Sequence, residues 1–199
     1  MSITDKARFE AAIHRFDAAN AEDPNVELED GVPQPKEVVY ARRMTGCLNR
    51  VAPEASEALQ LAVRGQHIRR WVIPRRNYPM DTQGYNKWRN TLKKLHSDVA
   101  GQILADCGYG PELIERVQFL VQKRQLKIDP EVQLLEDVAC LVFIEYYFLD
   151  FAAQHPEDKV IDIVRKTWRK MTPRGQELAL QLPLPEQALT LVGKALSAD

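Results

Sequence analysis

Three times in this sequence a proline stands directly behind a residue suited to starting a helix, at Gly110-Pro111, Asp129-Pro130 and Thr172-Pro173. Proline is tolerated in the first helical turn, where its missing N–H would have no partner anyway, and breaks a helix further in. Each pair therefore opens a new helix, and the chain between reads as a series of amphipathic segments. Phe9, Ile13 and Phe16 recur at helical spacing within Asp5 to Asn20. Val39, Met44, Cys47 and Leu48 make a stripe over Glu37 to Arg50, and Leu59, Ala62 and Val63 mark a helix over Ala52 to Trp71, with Pro53 at its start. Further helices are expected over Asn86 to Cys107, from Pro111, from Pro130 to Phe151 or Ala152, over Lys159 to Met171, from Pro173, and over Glu186 to Leu196. Strand signal is confined to the pair Val72-Ile73, so the pattern predicts an all-α fold, a compact helical bundle.

Punctuation sets the boundaries. Ala21 to Lys36 holds Pro24, Gly31, Pro33 and Pro35 together with five acids, which suits a linker over the surface. The expected organisation is an N-terminal helix and acidic linker over 1–36 packed on the core, a helical core over 37–172, and a C-terminal helical extension over 173–199. Charges interrupt the first residues before an apolar stretch forms, Glu145 splits the longest apolar run, and Cys47, Cys107 and Cys140 form no CxxC pair. These features predict a cytoplasmic protein with no membrane partner.

Net charge is −1, yet the charges are segregated. From Arg64 to Lys94 nine basic residues face a single acid, Asp81. Within that stretch Pro74, Pro79 and Gly84 punctuate an ordered basic loop from Val72 to Tyr85, a usual place for binding groups. Helical projection puts His67 in a row with Val63 and Trp71, His96 next to the stripe of Leu92 and Val99, and Asp137 among Leu134, Cys140 and Leu141. A lone carboxylate in such a setting needs a cation, a metal or several hydrogen-bond donors. Glu145 lies two turns beyond Asp137 on the same side. Arg69, Arg70, Arg75 and Arg76, with Lys93 and Lys94 from the following helix, are expected to form one anion-binding face near His67. Trp71 and Tyr78, with Tyr85 and Trp88, would supply a stacking surface. The plain alternatives are satisfied core histidines, a buried ion pair at Asp137 and a solvated charge run.

The stretches Gln66-His67-Ile68-Arg69-Arg70-Trp71, Asn77-Tyr78-Pro79-Met80, Leu135-Glu136-Asp137-Val138-Ala139-Cys140 and Arg165-Lys166-Thr167-Trp168-Arg169-Lys170-Met171 resemble an uncharacterised bacterial and fungal family of unknown function. More remotely, the helix order resembles degenerate HD-domain metal-dependent phosphohydrolases, whose bundle holds one or two metals with histidines and aspartates. In that resemblance Tyr40 stands at the first-helix histidine, Gln66-His67 at the histidine-aspartate pair, His96 at an additional histidine and Asp137 at the late aspartate. The resemblance implies an HD-like core with one divalent metal ion held by His67, His96 and Asp137, and one open position for water. The resulting expectation is a metal-dependent phosphohydrolase acting on a nucleotide or other small phosphorylated molecule, with His67, His96, Asp137 and Glu145 at the chemistry. The alternative is a catalytically degenerate nucleotide- or RNA-binding protein.

Overall fold

The computed structural model describes residues 3–197, which divide into two units, Met1–Gln125 and Leu126–Asp199. Five side chains start helices by accepting a backbone N–H of the first turn, which satisfies donors that no helical carbonyl can reach. In the first unit Asp5 accepts from Arg8 N at the head of α1 (Lys6–Ala21). A hairpin follows, β1 (Val26–Glu29) and β2 (Val32–Pro35), and then α2 (Lys36–Val51). Ser56 caps α3 (Glu57–Gly65), Asp81 caps α4 (Thr82–Asp106), and Pro111 opens α5 (Pro111–Val121). In the second unit Asp129 caps α6 (Pro130–Val142), which continues through a π-helical segment, Phe143–Tyr147, into α7 (Phe148–Ala153). Then come α8 (Glu157–Trp168), α9 (Pro173–Leu180), capped by Thr172, and α10 (Glu186–Leu196). The described residues are thus mostly helical, with one small two-stranded sheet among them. No helix among the described residues is long and apolar enough to cross a membrane.

The acidic linker is where structure departs most from expectation. Asp30 and Gly31 take φ of 52° and 79°, the two positive values that a two-residue type I′ hairpin requires, and the strands pair with Glu29 opposite Val32. Asp-Gly is a strong hairpin signal; the two prolines of β2 hid the strand. Glu27 and Glu29 reach Arg43 and Arg42 of α2, and Asp23 Oδ2 accepts the Glu37 backbone N–H at 3.1 Å, so the segment is tied to the start of α2. Residues 3–36 accordingly belong with the first unit, and 173–197 with the second, where α10 packs on α8 around Phe148, Val160, Val164, Ala188 and Val192.

Within the first unit α3 is central: it packs on α1, α2, α4 and α5 and is buried along nearly its whole length. Its Arg64 is buried, but Nε and Nη2 hold Asp17 at 2.8 and 2.6 Å and Nη1 holds Thr45 Oγ1 at 3.1 Å, so the charge is fully countered. The helix is shorter than the apolar pattern implies. It starts five residues after Ala52, where Ser56 offers its side-chain cap, and ends at Gly65. The chain then makes a tight turn with Arg69 in the left-handed region at φ 54° and two 3-10 turns, Arg70–Val72 and Arg75–Asn77. Val72 and Ile73 are therefore not a strand, and the helical row through Val63, His67 and Trp71 is broken. α4 starts at Thr82, ahead of the expected Asn86, because Asp81 accepts Gly84 N at 2.6 Å.

That start depends on a close approach. A Cβ at Gly84 would lie 2.2 Å from the Pro79 carbonyl oxygen, a backbone atom that cannot swing aside. Gly84→Ala is expected to destabilise the protein by about 1–3 kcal/mol through overpacking, read as a lower urea midpoint, whereas Gly46→Ala, with nothing within 4 Å of the new methyl, is expected to hold or raise it.

Candidate functional site

The turn after α3 carries His67 and Arg70, and three hydrogen bonds pin it. Asn20 Oδ1, buried at the end of α1, accepts the Arg69 N–H at 3.1 Å, which holds the left-handed residue in place. From α4, His96 Nδ1 donates to the Ile68 carbonyl at 2.6 Å and Trp88 Nε1 donates to the Ile73 carbonyl at 2.8 Å. Trp88, Leu92 and His96 follow each other at i, i+4 spacing, so one buried stripe of α4 places both donors.

The tautomers follow from the partners. Carbonyl oxygens only accept, so His96 carries its proton on Nδ1 and its lone pair on Nε2, and that buried atom has no hydrogen-bond partner. Arginine only donates, so the contact of Arg70 Nη1 with His67 Nε2 at 3.1 Å places the His67 proton on Nδ1. That nitrogen faces Glu37 Oε2 at 3.7 Å, too far for a hydrogen bond, and Oε2 is also buried without a partner. Tyr40 lies flat on the His67 ring, with centroids 4.1 Å apart and planes within 12°, and the His67 and His96 rings are 5.8 Å apart. The Arg70 guanidinium sits 4.8 Å over Trp88, and Tyr85 lies 5.9 Å from that ring.

Burial dominates the electrostatics. It pushes the Glu37 carboxyl up to about 7, against the pull of Arg70 and with the help of Asp23. It holds His67 well below the usual histidine range, where Arg70 and then His96 press in the same direction. Burial also brings His96 down to about 4, although the bond to Ile68 opposes it. Near neutral pH the cluster thus contains two neutral imidazoles, one carboxyl near half-protonation and one fixed cation. Such a set can give and take a proton beside an anion.

The other expected site residues are placed differently. Asp137, in the second unit, is buried and accepts from Thr172 N at 2.9 Å, Thr172 Oγ1 at 2.5 Å and Gln133 Nε2 at 3.2 Å. Of the partners considered for it, hydrogen-bond donors are the ones present. Gly175 packs on the same carboxylate, where a Cβ would come within 2.7 Å of Cγ. Glu145 lies in the π-helical segment, whose wider turn changes the angular phase on which its alignment with Asp137 was based. The lone pairs expected to hold a metal are engaged by protein donors at His67 and Asp137, and the described residues contain no group of three or more His, Cys, Asp or Glu that could hold a metal ion.

The basic residues have separate partners. Arg69 pairs with Glu22 at 2.6 Å, and Arg75 donates to the carbonyls of Tyr78 and Asp81, stapling its own loop. Arg76 is exposed, and Lys93 and Lys94 border a cavity together with Ser97 and Arg124. The stacking partners are Trp88 and Tyr85; Trp71 is half-buried, and Tyr78 contributes its carbonyl. Glu37 escaped sequence reading because an acid in a first helical turn is ordinary; its one signal is position, directly after the proline-rich segment and ahead of two buried valines.

A family model described as a domain of unknown function (DUF4202) matches residues 10–192, and the chain belongs to that family. No curated protein and no solved structure gives a significant match.

The cluster leaves a signature in pH-dependent stability. Between 4.5 and about 7 folded Glu37 keeps a proton that the unfolded chain has released, so its contribution to stability is lost as pH rises through that window. His96 acts oppositely: between about 4 and 6.5 the unfolded chain binds a proton that the folded one rejects, so stability rises with pH. Glu37→Gln removes the first arm alone. Its unfolding free energy from urea titration should match the parent near pH 4.5 and exceed it at pH 7.5, by up to about 3 kcal/mol; an equal difference at both pH values would contradict the burial of an ionisable carboxyl here.

Proposed function

We propose that the first unit is a phosphohydrolase site for a nucleotide or another small phosphorylated molecule, with Arg70 as the fixed cation and Glu37 and His96 as the proton-handling groups. The observation that carries this reading is the juxtaposition of a cation-bearing arginine with a buried carboxyl near half-protonation and a neutral imidazole whose lone pair has no partner. Arg70 gives one Nη to His67 and is held over Trp88, so its remaining N–H groups are preorganised to receive phosphate oxygens as charge develops on them. His96 Nε2 can accept a proton from an attacking water, and Glu37 in its acid form can donate one to the leaving oxygen. His67 orients Arg70 through Nε2, and Tyr40 keeps the ring in place by stacking. Metal dependence, implied by the remote HD resemblance, is not needed for this arrangement.

A second reading is binding without turnover, favoured by the engagement of Asp137 with Thr172 and Gln133. In that reading a nucleotide is held at Arg70 and the HD-like chemistry has been lost. The separate partners of Arg69 and Arg75 favour a small anion over an RNA backbone, which would need a continuous basic track.

Phosphate release from a nucleotide and phosphomonoester panel separates the two. The phosphohydrolase reading expects turnover with a bell-shaped pH profile, rising as His96 deprotonates near 4 and falling as Glu37 loses its proton near 7. Arg70→Gln should cut kcat/KM by roughly two orders of magnitude and Glu37→Gln should lower kcat while leaving KM nearly unchanged. No release by the parent protein, with nucleotide binding that Arg70→Gln abolishes, selects the binding reading; absence of both refutes the site.

A further inference from the structure

α4 presents two functional sides. Trp88, Leu92 and His96 face the turn that carries His67, while Lys93, Lys94 and Ser97 border a partly open cavity of about 550 Å³ that Gln118, Gln122 and Arg124 also line. That volume is in the range of small-molecule sites. We propose that this cavity is a second binding site, for a small phosphate-bearing anion, distinct from the His67 cluster.

The lining is built, not incidental. Ser97 is completely buried, and its backbone carbonyl accepts Gln118 Nε2 at 3.1 Å while its hydroxyl oxygen accepts Gln122 Nε2 at 2.7 Å. Gln118 can lie there because Gly101 has no side chain: a Cβ would stand 2.3 Å from Gln118 Nε2. Gln122 Oε1 in turn accepts Arg124 Nε at 3.0 Å. This chain of bonds links four residues and leaves two kinds of donor unused. The Ser97 hydroxyl proton has no acceptor among the described residues, and the Arg124 Nη groups have none either. A buried hydroxyl donor and a guanidinium tethered by Nε, with its outer N–H groups open, suit an oxyanion with several acceptor oxygens.

Charge agrees. Lys94 pairs with Asp98 at 2.6 Å, and the Arg124 guanidinium, bonded within the lining to the neutral Gln122 amide, leaves positive charge at the cavity. At Lys123, where φ is 53°, the chain leaves α5, and the Lys123 and Arg124 N–H groups return to the carbonyls of Leu120 and Phe119 at 2.9 and 3.2 Å, which fixes the backbone that carries Arg124. A small anion is preferred over a nucleic acid because the amide and hydroxyl groups lie at the floor, where an extended backbone would not reach.

Titration calorimetry of the full chain with inorganic pyrophosphate tests the proposal, with side-chain amide NMR signals of Gln118 and Gln122 as a second readout. Binding is expected, with shifts at both amides. Lys93→Gln with Arg124→Gln should weaken the binding that shifts these amides roughly tenfold or more, Ser97→Ala by less, while in Arg70→Gln, which removes the cation of the His67 cluster, the shifts at Gln118 and Gln122 should persist. No binding, no amide shifts, or equal affinity in the double variant overturns the site. Loss in Arg70→Gln with retention in the double variant overturns it too, by assigning pyrophosphate to the His67 cluster. Binding of an RNA oligomer without binding of pyrophosphate would likewise reject a small-anion site. Failure of hydrolysis at the His67 cluster leaves these outcomes unaffected.

Discussion

The hydrogen bond from His96 Nδ1 to the Ile68 carbonyl ties the candidate site to the frame of the first unit. One bond does three things. It satisfies a carbonyl in a turn that has left the helix, it fixes the tautomer of a buried histidine, and it aims the other nitrogen into the protein with no partner. With Asn20 holding the left-handed Arg69 and Trp88 holding Ile73, it makes the turn a rigid support for His67 and Arg70. Preorganisation of this kind lets a cation stand beside neutral imidazoles before any ligand arrives.

Two buried carboxyls illustrate two physical solutions to the same cost. Asp137 remains in its hydrogen-bonded pocket because Thr172 and Gln133 supply three donors, and it thereby couples α6 to the capped start of α9. Glu37 has no such donors on Oε2, so burial moves its pKa toward neutrality. The first carboxyl is held by fixed donors and the second is left near neutrality without them, although the sequence pattern points to Asp137 and not to Glu37. What distinguishes them is the count of donors within reach, a quantity set by residues up to 35 positions away.

Helices were legible because their signals are local. The caps Asp5, Asp129 and Thr172 and the prolines behind two of them act within one turn, and α10 spans the segment expected for it. The hairpin was missed because prolines occupy β2, and the end of α3 was missed because its apolar spacing runs on past Gly65 into a turn where Ile68 is still buried. Burial of a residue outside a helix mimics helical periodicity, so His67 was expected to be inward for a reason that did not apply.

The sequence by itself determined that the chain is mostly helical, where most helices begin, and that His67, His96 and a cluster of cations lie in one stretch of it. Those properties depend on neighbours within a few residues. Tertiary structure alone decided that Tyr40 covers His67, that Glu37 faces it, that Arg75 serves its own loop, and that Lys93 and Arg124 border one cavity. These are meetings of residues distant along the chain, and their consequences for protonation and charge follow from desolvation, which depends on everything packed around a group and cannot be read from its position in the sequence.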